Sequence, residues 1–211
     1  MDKISNSDIL SWMDEFANTV AENKDYLTKL DSDIGDADHG INMDRGFNAI
    51  ASKLEGLNDK DIGTIFKTIA MTLMSTVGGA SGPLYGSFFL EMSKLSQGKS
   101  DLTYEEWVRV FQAGVEGIIK RGKAKVGDKT MLDSLVPASE AFTNAKKGNN
   151  FSNAFQQAMQ AAEKGMLSTI PLVARKGRAS YLGERSAGHQ DPGATSSFML
   201  IKAAVDGMFR E

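Results

Sequence analysis

The sequence predicts an all-α fold, an eight-helix antiparallel up-and-down bundle or barrel, on three observations. Apolar residues recur at helical spacing along almost the whole chain. No run of alternating β-branched residues predicts a strand. The connections are mostly short, which makes consecutive helices antiparallel neighbours.

Start and stop signals place the helices at 7–29, 40–57, 61–76, 82–98, 103–121, 129–147, 150–168 and 193–209. The first carries the stripe Ile9, Trp12, Met13, Phe16, Ala17 and Val20, and the second Met43, Phe47, Ile50, Ala51 and Leu54. The third runs from the polar "LNDKD" to "VGGASGPLYG", and the fourth opens on Ser81-Gly82-Pro83. The fifth shows Trp107, Val108, Phe111, Val115 and Ile118; the sixth lies between "RGKAKVGDKT" and "KKGNN". Phe151, Phe155, Met159, Ala162 and Met166 mark the seventh, and Phe198, Ile201, Val205 and Met208 the eighth.

The 211 residues suffice for a substantial core. A hydrophobic content of 41% and a charged content of 24% are those of an ordinary globular protein. A net charge of -3 offers nucleic acid or a membrane no general attraction. With no cysteine, disulfides and thiolate metal sites are excluded. The start "MDKISNSDIL" has no signal-peptide character and no apolar run approaches a membrane span, so a cytoplasmic protein is expected.

The connections are unequal. Those after helices two, four and six are short and polar, whereas those after one, three, five and seven are rich in glycine and charge. Alternate loops of an antiparallel array share an end, so "DSDIGDADHG", "VGGASGPLYG", "RGKAKVGDKT" and "ARKGRASYLGERSAGHQDPGATS" should meet on one face. Each leads into a helix N-terminus, whose unpaired N–H groups and positive dipole end bind anions. Asp38 or His39 precedes the second helix, and Asp191-Pro192-Gly193 opens the eighth with proline where its missing N–H costs nothing. A phosphate-binding mouth is expected.

Asp31, Asp33, Asp36 and Asp38 crowd four like charges into eight positions around Gly35. Such a turn is either solvated or organised by a cation. Counted from Asp31, an EF-hand would need glycine where Asp36 stands and glutamate where Asn42 stands, so calcium in that form is rejected. Magnesium fits, because it takes carboxylate oxygens and shares substrate phosphates. The glycine loop lacks the lysine of a P-loop, and Ser81 is open to two roles, phosphate contact or helix cap. Arg175, Lys176, Arg178 and Arg185 form either a solvated basic loop or a source of an arginine that closes over a transferring phosphate. Neither His39 nor His189 has the spacing of a zinc site.

The segments "LDSDIGDADHGINMDRGF", "VGGASGPLYGSFF", "RGKAKVGDKTM" and "ARKGRASYLGERSAGHQDPGAT" resemble, in order, the nucleotide-site segments of the dihydroxyacetone kinase L subunit family. The resemblance covers essentially the whole chain and implies one nucleotide-binding helical domain over 1–211, holding ADP or ATP at one end. Two magnesium ions would lie between the phosphates and Asp31, Asp36 and Asp38, with Asp33 less secure. Nucleotide contacts would fall at His39, Gly40, Ile41 and Asn42, at Ala80 and Ser81, at Gly122 and Met131 near the base or ribose, and at Arg178, Asp191, Pro192 and Gly193. Arg178 would support charge in the transition state. The histidine that binds dihydroxyacetone belongs to a separate K subunit, so neither histidine here takes that role.

The resemblance further implies the phosphotransferase-system-dependent form. There a phosphohistidine on the M subunit rephosphorylates ADP held as a cofactor, and the γ-phosphoryl passes to dihydroxyacetone on K. One rival shares every motif, a subunit of an ATP-dependent short-ketose kinase with exchangeable ATP; a second, from another class, is a nucleotide-loaded co-regulator of a transcriptional regulator that catalyses nothing.

Overall fold

The computed structural model describes residues 2–145 and 151–209. The predicted "KKGNN" connection, with the adjoining ends of the predicted sixth and seventh helices, lies outside those residues. Nine α-helices are present among the described residues: α1 (Asn6–Glu22), α2 (Lys24–Ile34), α3 (His39–Leu54), α4 (Ile62–Thr76), α5 (Ser81–Ser96), α6 (Tyr104–Gly122), α7 (Leu132–Asn144), α8 (Phe151–Ser168) and α9 (Pro192–Met208).

The extra helix arises because the predicted first helix is interrupted at Asn23 and then continues beyond residue 29 to Ile34. Asn23 leaves helical geometry (φ -104°, ψ 12°), and its Nδ2 donates to the Thr19 carbonyl at 2.8 Å. Asparagine favours such breaks because its amide competes with the helix for backbone partners. The expectation of no strands also needs amending: β1 (Ile4–Ser5) pairs antiparallel with β2 (Asp101–Leu102). Two residues per strand are too few to show an alternating pattern.

Around the molecule, α1, α3, α4, α5, α6, α7, α8 and α9 each pack on the next, and α9 returns to α1; α2 leans on α3 and α9. The stripe on α1 is buried as its spacing requires. Burial of such side chains stabilises by roughly 1.5–3 kcal/mol each. At the axis Trp12 meets Phe66, Phe89 and Trp107 with ring centroids 5.8–6.4 Å apart, and its Nε1 donates to the Leu200 carbonyl at 2.8 Å.

The N-termini of α1, α4 and α6 share one end. Asn6 N–H donates to the Ser100 carbonyl at 3.0 Å and Ile62 N–H to the Lys99 carbonyl at 2.8 Å, beside the β1–β2 pair. All three helices are capped by side chains there: Ser5 with Asp8, Asp61 to Thr64, and Thr103 with Glu106. The opposite end is built differently.

Candidate functional site

At that opposite end lies a cavity of about 700 Å³, within the range of small-molecule sites. All four rich connections line it, as alternate loops of an antiparallel array must. The residues preceding α3, α5, α7 and α9, namely Asp38, Ala80, Met131 and Asp191, all face it. Asp38, Ala80 and Met131 make no side-chain capping bond, in contrast to the capped far end. The positive dipole ends of these four helices are directed at the cavity.

The acidic segment supplies one wall. Asp31 sits on the last turn of α2, on the inward face shared with Leu27 and Ile34, rather than in a turn. Its Oδ2 accepts the N–H groups of Asp38 and His39 at 2.8 and 3.2 Å, so Asp31 does the capping of α3 that Asp38 does not. Ala37 occupies the left-handed region (φ 60°) and reverses the chain between Asp36 and Asp38. Oxygen atoms of Asp31, Asp36 and Asp38 come within 4.8 Å of one another. Asp33 stands apart, paired with Lys29 at 2.6 Å, and that lysine holds its carboxyl below the usual range.

Gly35 permits this geometry. A Cβ there would lie 2.1 Å from Asp31 Oδ1. Gly40 has a different role, since a Cβ would meet the Lys24 carbonyl at 2.0 Å where α2 and α3 approach.

Behind the carboxylates lies a polar network. His39 is buried, with Nδ1 3.1 Å from Ser81 Oγ and Nε2 2.9 Å from Ser196 Oγ. Tyr85 OH lies 2.8 Å from the same Ser196 oxygen. Burial lowers the His39 pKa, with Asp31 and Asp38 opposing, so the ring is a neutral bridge between α3, α5 and α9. Asp191 caps α9, accepting the Ala194 N–H at 2.7 Å; its burial, opposed by that bond and reinforced by Asp133, raises its pKa to about 7.

Pro83, Leu84, Ile118, Ala124, Met131 and Leu132, with Gly122 beside Leu84, give the cavity an apolar lining. The segment between α8 and α9 crosses the mouth as a lid. Its short 3-10 stretch (Arg178–Ser186) packs Ala179 and Leu182 on Ile34, and Arg178 Nη2 reaches Asp36 Oδ2 at 3.0 Å.

Of the residues singled out in the sequence, Asp31, Asp36, Asp38, His39, Ala80, Ser81, Gly122, Met131, Arg178, Asp191, Pro192 and Gly193 line this cavity. Gly40, Ile41 and Asn42 do not: Gly40 is buried against α2, Ile41 is exposed, and buried Asn42 accepts a 2.7 Å bond from Arg45 beside the glycine loop. Sequence reasoning missed Leu84 and Ile118, whose spacing reads as core, and the Tyr85–Ser196 pair. It also missed Lys129, which looks like any polar-loop lysine but is buried under the lid.

Residues 33–206 match the family model described as the DAK2 domain. The chain is 48% identical over 200 residues to the ADP-binding subunit of the PEP-dependent dihydroxyacetone kinase of Escherichia coli K12, covering 94% of this chain and 95% of that one. It is 46% identical to the ADP-binding subunit of the PTS-dependent dihydroxyacetone kinase of Lactococcus lactis IL1403, covering 93% and 95%. The fold is similar to the crystal structure of the C. freundii dihydroxyacetone kinase in complex with AMP-PNP and Mg2+ (TM-score 0.73, 28% identity). That match covers 96% of this chain and 34% of the crystallised one, so the chain spans about a third of that kinase.

Proposed function

The chain belongs to the DAK2 domain family, and from that premise we propose that it is the nucleotide-binding phosphoryl-transfer subunit of a PTS-dependent dihydroxyacetone kinase. In this reading it retains ADP as a cofactor. A phosphohistidine on a partner M subunit rephosphorylates that ADP, and the γ-phosphoryl passes to dihydroxyacetone on a partner K subunit, giving dihydroxyacetone phosphate.

One observation carries the reading: three carboxylates converge at the end of a cavity whose other walls are helix N-termini and an apolar slot. The donor set suits a hard divalent cation, being all oxygen, with Asp31 Oδ2 already oriented by two backbone N–H groups. Asp31, Asp36 and Asp38 would hold the two magnesium ions. When bound, magnesium neutralises charge on the β- and γ-phosphate oxygens.

The remaining residues position and enclose. The openings of α3, α5 and α9 would turn their positive dipole ends to the phosphates, and Ser81 Oγ, held by His39, would add a hydroxyl. Leu84, Ile118 and Met131, with Gly122 beside them, would hold the base in the apolar part of the cavity. Arg178, on the lid, is within reach of the metal site and supplies a planar donor for charge developing on the transferred phosphoryl oxygens. The chain needs no general base, because the sugar is presented by another subunit.

Mass spectrometry of the native protein after gel filtration tests the reading: co-purifying ADP is expected, and its absence would favour freely exchanged ATP. Asp36→Ala should lose retained nucleotide, magnesium affinity and turnover in the system reconstituted with K and M. Preservation of all three would overturn the proposal.

A further inference from the structure

Lys129 is buried, only 1% exposed, and its three N–H groups are shared among four backbone carbonyls around Nζ: Thr169 at 2.9 Å, Leu172 at 3.1 Å, Ser186 at 2.8 Å and His189 at 2.5 Å. Among the described residues no carboxylate lies within ion-pairing distance of it. Asp191 and Asp133 act on the charge only at longer range, and its direct contacts are carbonyl dipoles, much as for a dehydrated ion in a selectivity filter.

The four carbonyls form two pairs. Thr169 and Leu172 stand where the lid leaves α8, and Ser186 and His189 where it returns toward α9. Between the pairs run Arg175, Lys176, Arg178, Ala179 and Tyr181, which line the cavity. Three lesser ties lie at the same neck: Gly188 N–H to the Ile170 carbonyl at 2.8 Å, Ala174 N–H to Ser186 Oγ at 2.8 Å, and Asp191 N–H to Thr169 Oγ1 at 3.0 Å. Lys129 itself comes from another element, two residues before Met131, at a left-handed φ of 62° that residues with a Cβ rarely adopt.

We propose that Lys129 is the positioning residue of the lid: its ammonium cinches both ends of the loop to the α6–α7 connection, and so holds Arg178 over the cavity. Lys129 touches no reacting atom in this arrangement; it acts through the loop. The consequence for nucleotide rests on the function proposed above, whereas the clasp does not.

The test uses Lys129→Ala in the full chain without nucleotide, followed by hydrogen exchange. The missing atoms amount to n-propylamine. Exchange in residues 173–186 should rise at least tenfold while α1 and α4 stay protected, and added n-propylamine should restore protection. Tetramethylammonium, which has no N–H to donate, should not. Unchanged lid exchange, a uniform rise throughout the chain, or equal rescue by tetramethylammonium would overturn the proposal. Lys129→Gln, which keeps two N–H donors without the charge, serves the same test if the alanine variant does not fold, with an intermediate rise in lid exchange expected. In a separate arm, ADP should dissociate at least tenfold faster from the alanine variant. Failure of the unaltered chain to bind ADP would count against the nucleotide reading alone, because the clasp is decided by lid exchange in the nucleotide-free chain.

Discussion

Arg178 Nη2 lies 3.0 Å from Asp36 Oδ2, joining the lid to the most exposed carboxylate of the acidic triad. Both side chains are substantially exposed, and ion pairs of that kind contribute about 0–1 kcal/mol to stability. A donor aimed at developing phosphoryl charge has far greater kinetic weight. Arg178→Ala should therefore melt within about 1 kcal/mol of the unaltered chain. Its turnover with K and M partners should fall on the order of 100-fold or more. Thermal denaturation and a coupled kinase assay on one preparation check both halves; undiminished turnover would remove Arg178 from the chemistry.

Gly35 offers a test of the carboxylate cluster without deleting a carboxylate. Its φ of -138° is not the left-handed conformation that demands glycine. The methyl added by Gly35→Ala would instead meet Asp31 Oδ1 at 2.1 Å. Asp31 has to turn away, loosening its bonds to the Asp38 and His39 N–H groups. Magnesium affinity in the presence of ADP, read by calorimetry, should drop at least tenfold, the equivalent of about 1.4 kcal/mol. An unchanged affinity would mean that Asp31 is not a ligand.

Two buried groups give the ligand-free chain opposing pH dependences. Asp191 has its pKa raised from 3.8 to about 7, chiefly by burial. Its contribution is fully present below pH 4 and is lost as pH rises toward 7, because the folded chain binds the proton more tightly. His39 has its pKa lowered below 6.5 by burial, so its contribution is present above pH 6.5 and is lost as pH falls. Asp191→Asn keeps an α9 cap and removes the first slope. Denaturant melts between pH 4 and 7 should show this variant gaining on the unaltered chain as pH rises. Parallel curves would contradict the raised pKa.

Much of this site was readable in the sequence because loop position in an antiparallel array follows from counting helices. That rule alone brings Asp31, Ser81, Met131 and Asp191 to one cavity. What escaped depends on three-dimensional context. Asp31 looks like part of a turn, yet Leu27 and Ile34 extend the helical face past it, and its carboxylate caps the next helix. Asn23 carries no mark that distinguishes a break from a surface asparagine. Lys129 sits in a glycine-containing polar loop where lysine is ordinary, and only the return of a loop some 40 to 60 residues later encloses it. The same separation hides the apolar lining, since Leu84 and Ile118 obey the core spacing and border the cavity only because they lie near helix ends.

The contrast between the two ends of the barrel leads to the last prediction. Thr103 caps α6 at the far end, sharing bonds with Glu106, and its loss should cost about 1 kcal/mol of stability. Being remote from the cavity, Thr103→Ala should leave ADP affinity within about twofold, a change smaller than one ordinary hydrogen bond. Ser81 is the reverse case. It opens α5 without a side-chain cap, and its hydroxyl, held 3.1 Å from His39 Nδ1, borders the cavity where water can replace it. Ser81→Ala should therefore disturb stability less than the Thr103 variant and weaken ADP binding roughly three- to tenfold, as for one neutral hydrogen bond. Melting curves and equilibrium binding on the pair separate the roles. If the two variants lose stability and affinity in the same proportion, the opening of α5 is not a phosphate site.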